Sequence, residues 1–288
     1  MSETADHNFE HLPPAAAGLG HIFARPRILA ALCVILLAGL GWSYLGLLVA
    51  GTGKTFDGSR ASVLQTLCGP LLNPLWSVSG VAAVVAMWGA MMLAMMLPSA
   101  APMIMTYAGI ADTAARKNEH VISPFVLAAG YAAIWFGFSV VAALAQIMLM
   151  RAAWLDTGMA SASGLFSGAI FIGAGLYQFS TLKHACLNRC RHPFPFFFAN
   201  WATTTRGVFR LGLKQGAYCL GCCWAMMLVM FAVGVMNVIW MAGLGMIMTI
   251  EKMLSGRRFT HVIGVALIVV GLGIVIAAFA SHWPAQTS

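Results

Sequence analysis

Charge is what this sequence most lacks. Only 8% of its 288 residues are Asp, Glu, Lys or Arg, while 60% are hydrophobic and the mean hydropathy is +0.85. A soluble domain carries roughly a quarter charged residues, so the composition excludes a water-covered globule and requires lipid over most of the surface. Acidic groups are scarcer still, 8 against 16 Lys and Arg. Charges within the apolar segments are nearly absent, and Glu251 stands beside Lys252 near a helix end. That leaves no carboxylate relay of the kind proton-coupled pumps use. The first apolar run, after Arg25 and Arg27, lacks an Ala-x-Ala cleavage site and is too long for the core of a secretory signal, so it reads as a retained anchor. The net charge of +8 is dispersed between apolar segments rather than gathered on one basic face, which excludes a nucleic-acid partner.

What the sequence has is long apolar runs. A hydrocarbon core about 30 Å thick takes roughly 20 apolar residues per helix, and only a helix satisfies its own backbone there. The chain therefore reads as an all-α polytopic transmembrane helical bundle of about seven spans, with six as the alternative. Residues 1–24 read as a disordered cytoplasmic tail and 25–284 as a single transmembrane domain. The first span covers about 28–49, and a loop holding Lys54, Asp57, Arg60 and Cys68 follows outside. The second starts near Val78, with Pro98 and Pro102 expected to kink or interrupt it. A proline so placed frees a carbonyl. The third covers about 124–150 and the fourth about 165–182, joined by a short segment around Arg151 and Asp156.

Between Lys183 and Lys214 the chain carries Lys183, Arg189, Arg191, Arg206, Arg210 and Lys214 with no acidic residue. The positive-inside rule makes this a cytoplasmic loop. Residues 216–254 are too long for one span and divide near Gly234 to Asn237 into two short helices with a tight outer turn. The last span, about 259–280, completes seven with the N-terminus inside and the C-terminus outside.

Sulfur is the other abundance, with 19 Met and 7 Cys. Five thiols cluster as Cys186/Cys190 and Cys219/Cys222/Cys223, unlike the scattered spacing of an extracellular disulfide framework. At i, i+3 and i+4 the last three project from one helix face, and Met226 and Met230 extend the same arc. Cys186 and Cys190, at i and i+4, lie where the fourth span emerges, with His184 and His192 beside them. In the second span Met87, Met91 and Met95 recur every fourth residue, and Met92 and Met96 repeat that spacing on an adjacent face. Such a ladder is also what a gap-filling packing seam with Gly89, Ala90 and Ala94 would look like. As chemistry, thiolates suit Cu(I) or Zn(II), whereas neutral thioethers favour Cu(I).

On MWGAMMLAMMLPSAAPM at 87–103, YQFSTLKHACLNRCRHP at 177–193, GAYCLGCCWAMM from 216 and GVMNVIWMA from 234, the chain resembles a bacterial family of predicted metal-binding integral membrane proteins, a domain of unknown function. The resemblance covers about residues 80–255. It implies a helical membrane protein with a metal site on the cysteines at 186, 190, 219, 222 and 223, and it implies no catalytic activity.

The leading expectation is a protein that is not an enzyme and that handles Cu(I) along its methionines to cysteines at the cytoplasmic face, for transport or cuproprotein assembly, with a metallochaperone or membrane complex as partner. Two alternatives stay open. Cys219-x-x-Cys222 has the spacing of a thiol–disulfide exchange motif. A Zn(II) tetrathiolate stapling two helices of an assembly subunit fits the same thiols.

Overall fold

A computed structural model describes residues 26–52, 78–117, 121–152, 154, 163–235, 237–254 and 256–282. The N-terminal tail, the segment with Lys54, Asp57, Arg60 and Cys68, and Asp156 lie outside the described residues. Within them every regular element is an α-helix: α1 (Pro26–Thr52), α2 (Val78–Ala115), α3 (Pro124–Arg151), α4 (Gly164–Tyr177), α5 (Thr181–Arg191), α6 (Pro193–Ala199), α7 (Thr205–Val233), α8 (Val238–Met253) and α9 (Arg258–His282).

The helix starts are written in short polar side chains. Ser123, Ser163, Ser180, Thr204 and Asn237 each accept a hydrogen bond from a backbone N–H of the first turn of α3, α4, α5, α7 and α8. Each satisfies a donor that the helix itself leaves unpaired. The break between α7 and α8 falls at Gly234, whose φ of 99° suits a residue without Cβ. It is the break expected from the sequence.

Five helices are long and apolar enough to cross a membrane, namely α1, α2, α3, α7 and α9. The α4–α5 pair, bent by 64° over a short break, passes the same test together as a broken span or re-entrant loop. The multi-span helical architecture is thus as expected. The segment that a seventh span requires is α8, whose 16 residues rise only about 24 Å.

In two places the chain departs from its sequence reading. Pro98 and Pro102 neither end nor interrupt α2, which continues through both for 38 residues. Pro98 has no N–H for the carbonyl four residues earlier, and the Trp42 indole donates to that Ala94 carbonyl at 3.0 Å instead. A neighbouring helix repairs the defect. The basic stretch from Lys183 to Lys214 is also no loop, since α5, α6 and the first turns of α7 occupy most of it. Arg206, Arg210 and Lys214 are exposed on α7, but Lys183 is fully buried.

Burial ranks the helices. In the membrane-length windows, 67% of α2 and 56% of α7 are buried against 17% of α9 and 28% of α1, so α2 and α7 form the centre and the others jacket them. Helix α3 approaches α7 very closely, because a Cβ on Gly212 would meet the Leu127 carbonyl oxygen at 2.2 Å and one on Gly130 would meet that of Phe209 at 2.3 Å. Only the absence of side chains permits this crossing.

Candidate metal centre

The CLGCCW segment lies mid-helix in α7, and the 3.6-residue period turns Cys219, Cys222 and Cys223 to the bundle interior while Trp224 faces outward. Their three Sγ atoms lie within 4.8 Å of one another, and all three residues are at most 3% exposed. Cys222 and Cys223 Sγ are 3.3 Å apart, and Cys222 Sγ also donates to the Cys219 carbonyl at 3.1 Å. The six described cysteines, Cys33 included, are free thiols.

A fourth thiol arrives from α5. Cys190 Sγ stands 4.0 Å from Cys222 Sγ, and its residue lines the small cavity beside Cys219. Cys186, one turn earlier, packs differently: a Cβ on Gly221 would meet its Sγ at 2.7 Å, which puts it over the α7 backbone rather than inside the three-thiol group. One face of a short helix therefore delivers one of its two cysteines inward. His184 stacks edge-on against His261 of α9, with ring centroids 5.4 Å apart. That places it on the flank of α5 toward α9. His192 is exposed at the C-terminal cap of α5.

The expected methionines are all in the core. Met87, Met91, Met92, Met95 and Met96 of α2 and Met226 and Met230 of α7 are buried. The two runs share a level in the bundle. Trp88 meets Phe231 with ring centroids 5.4 Å apart, while the Tyr131 hydroxyl bridges the Met96 carbonyl at 3.1 Å and Cys219 Sγ at 3.0 Å. The ladder thus occupies the stretch between that aromatic pair and the thiols. Helix α8 flanks this stretch, with Met95 lying over Gly245 and with Met241 and Met248 buried. Sequence reasoning left these two methionines out, although the i, i+7 spacing marks one helix face. Gln178, at the α4–α5 break, donates from Nε2 to Met226 Sδ at 2.9 Å.

Several polar partners of the thiols went unrecognised. Lys252 of α8 donates from Nζ to Cys219 Sγ at 3.0 Å and to Ser99 Oγ at 2.7 Å, and Ser99 in turn donates to the Met96 carbonyl at 2.8 Å. The cavity these residues share with Ala100, Met103, Tyr131, Cys190 and Gln215 measures about 20 Å³. That volume is near the lower limit for a single water. Both polar atoms of the Gln215 side chain are buried without a protein partner. The reading of Glu251 as a neighbour of Lys252 alone needs correction. Its Oε2 accepts from Lys183 Nζ at 2.8 Å, with 1% and 2% of the two side chains exposed. A buried carboxylate needs such a partner, and alternating directions on α8 send Glu251 toward α5 while Lys252 faces α7.

A cluster of soft sulfur donors in an apolar bundle, with no carboxylate among them, is suited to a soft, low-charge ion. Residues 85–274, about two thirds of the chain, match the family model described as PpoB2, copper chaperone. No curated protein and no solved structure matches the chain. On the strength of that match, the chain belongs to the copper chaperone family.

Proposed function

We propose that the protein binds Cu(I) at Cys219, Cys222, Cys223 and Cys190 and hands it on for cuproprotein assembly or transport, as a membrane-embedded carrier rather than an enzyme. The observation that carries this reading is the group of three buried thiols within 4.8 Å, with a fourth 4.0 Å from one of them. Thiolate sulfurs bind Cu(I) tightly and exchange it between two- and three-sulfur arrangements, which a carrier needs. The thioethers of Met87, Met91, Met92, Met95, Met96, Met226 and Met230 bind Cu(I) without losing a proton, so they offer weaker sites leading to the thiols. Cys186 and His184 fall outside the inner group and serve better as outer stations on the exchange path. The family's description supplies the copper.

The site lies in the bacterial inner membrane in this reading, with the N-terminus and the basic α5–α7 region on the cytoplasmic side. A soluble metallochaperone or a membrane complex then meets the thiol end.

The test is elemental analysis of the purified protein under reducing conditions, after equal exposure to copper and zinc. Copper bound by the native chain and lost with Cys222→Ser plus Cys223→Ser supports the proposal. Unchanged copper in the double variant would sink it. Zinc in place of copper, held regardless of Met91→Leu, points to a structural tetrathiolate. A mixed disulfide trapped with a partner points to thiol exchange.

A further inference from the structure

The buried ion pair between Lys183 and Glu251 has no part in holding a metal, and it joins the helix that brings Cys190 to the helix that brings Lys252. Around it the contacts are concentrated. Arg191 donates from Nε and Nη2 to the Glu251 backbone carbonyl at 2.9 and 2.7 Å. Lys183 and Arg191 thus grip one residue of α8 from opposite ends of the 11-residue α5, and Cys190 lies inside that grip.

On its α7 side, α5 lays Cys186 over Gly221 and donates from Arg189 to the Tyr218 hydroxyl at 3.3 Å, while toward α8 the Lys183 and Arg191 contacts are what fasten it. It is set off from α4 by a 64° bend, and only Lys183 and Leu187 of its side chains are buried. With one fully buried apolar residue, α5 depends on its polar contacts as well as on its packing along α7. The Glu251 carboxylate is only half satisfied, since Oε1 is buried without a partner while Oε2 takes the lysine. Cys190 also walls the small cavity that touches Cys219 and Lys252. Moving α5 would withdraw the fourth sulfur and open that wall in one step.

We propose that Glu251, through Lys183 and Arg191, is a positioning residue that latches α5 and so decides whether Cys190 belongs to the thiol cluster. Closed, the latch gives a four-sulfur site sealed from outside. Open, it leaves Cys219, Cys222 and Cys223 exposed on the α5 side, where a partner's thiolates exchange with them for Cu(I). The role in exchange rests on the copper reading above, whereas the latch itself does not.

The experiment therefore uses metal-free, reduced protein and follows each cysteine separately by mass spectrometry during alkylation with a maleimide. Glu251→Gln should speed modification of Cys190 at least tenfold, with a smaller rise at Cys219, Cys222 and Cys223 as the α5 side opens, while Cys33 of α1 changes by less than twofold. Reversing the pair, Lys183→Glu with Glu251→Lys, should return Cys190 toward its native rate. An unchanged Cys190 in Glu251→Gln overturns the latch, and so does an equal rise at Cys190 and Cys33, which means general loosening. Should Glu251→Gln fail to accumulate in the membrane, Arg191→Lys carries the same test, because it keeps the charge and loses the two-pronged contact. Failure of the native protein to bind copper, with the alkylation pattern as expected, would count against the copper reading alone.

Discussion

Lys252 Nζ lies 3.0 Å from Cys219 Sγ, an ammonium inside a cluster of thiols. Several thiolates around one monovalent ion accumulate negative charge in a medium that screens it poorly, and a fixed cation offsets part of that charge. Lys252→Met should weaken Cu(I) retention by roughly tenfold, about 1.4 kcal/mol, the scale of one charge-assisted hydrogen bond. Titration against a chromogenic Cu(I) chelator measures this. Retention equal to native would show that the lysine is a bystander.

The thioether ladder separates from the thiols by its kinetics. Met91→Leu with Met95→Leu conserves volume, so each substitution should cost less than about 1.5 kcal/mol of stability. Copper content at equilibrium should stay near native, while loading slows several-fold. Stopped-flow loading with a Cu(I) donor reports the rate, and identical loading curves would reduce the ladder to a packing seam.

The α3–α7 crossing depends on two glycines facing each other. Gly212→Ala drives a Cβ to 2.2 Å from a backbone oxygen that no rotamer change can move. A destabilisation of about 2 kcal/mol or more is expected, within or above the usual range for overpacking. Gly89→Ala, where nothing lies within 4 Å, serves as the control in thermal unfolding in detergent. Equal midpoints for the two variants would contradict the close approach.

Orientation is testable at Arg210, which is exposed on α7. In Arg210→Cys, the new thiol should react with a membrane-impermeant maleimide in inverted vesicles and stay unreacted in intact spheroplasts. The reverse pattern would put the thiol end outside and turn the copper route around.

Much of the candidate site is visible in the linear sequence because its spacing is local. Cys219, Cys222 and Cys223 sit three and four positions apart, and one helical period sends them to one face whatever the surroundings. The same holds for Met226 and Met230. Spacing could not separate Cys186 from Cys190, since both lie on one face of α5 and only its docking against α7 chooses between them. Nor could it show that Pro98 would be tolerated, because the repair comes from Trp42, 52 positions before the Ala94 carbonyl that it satisfies.

By itself, then, the sequence determined an all-helical membrane protein and the register of its sulfurs, since hydropathy and helical period act within a single segment. Tertiary structure alone decided the charges. Lys252 reaches a thiol 33 positions away and a serine 153 away, and Glu251 reaches Lys183 across 68. Adjacent residues on α8 diverge to different neighbours, and which neighbour each meets depends on how the helices are rotated and packed. A buried charge must find its partner across that packing, and no local pattern encodes where the partner stands.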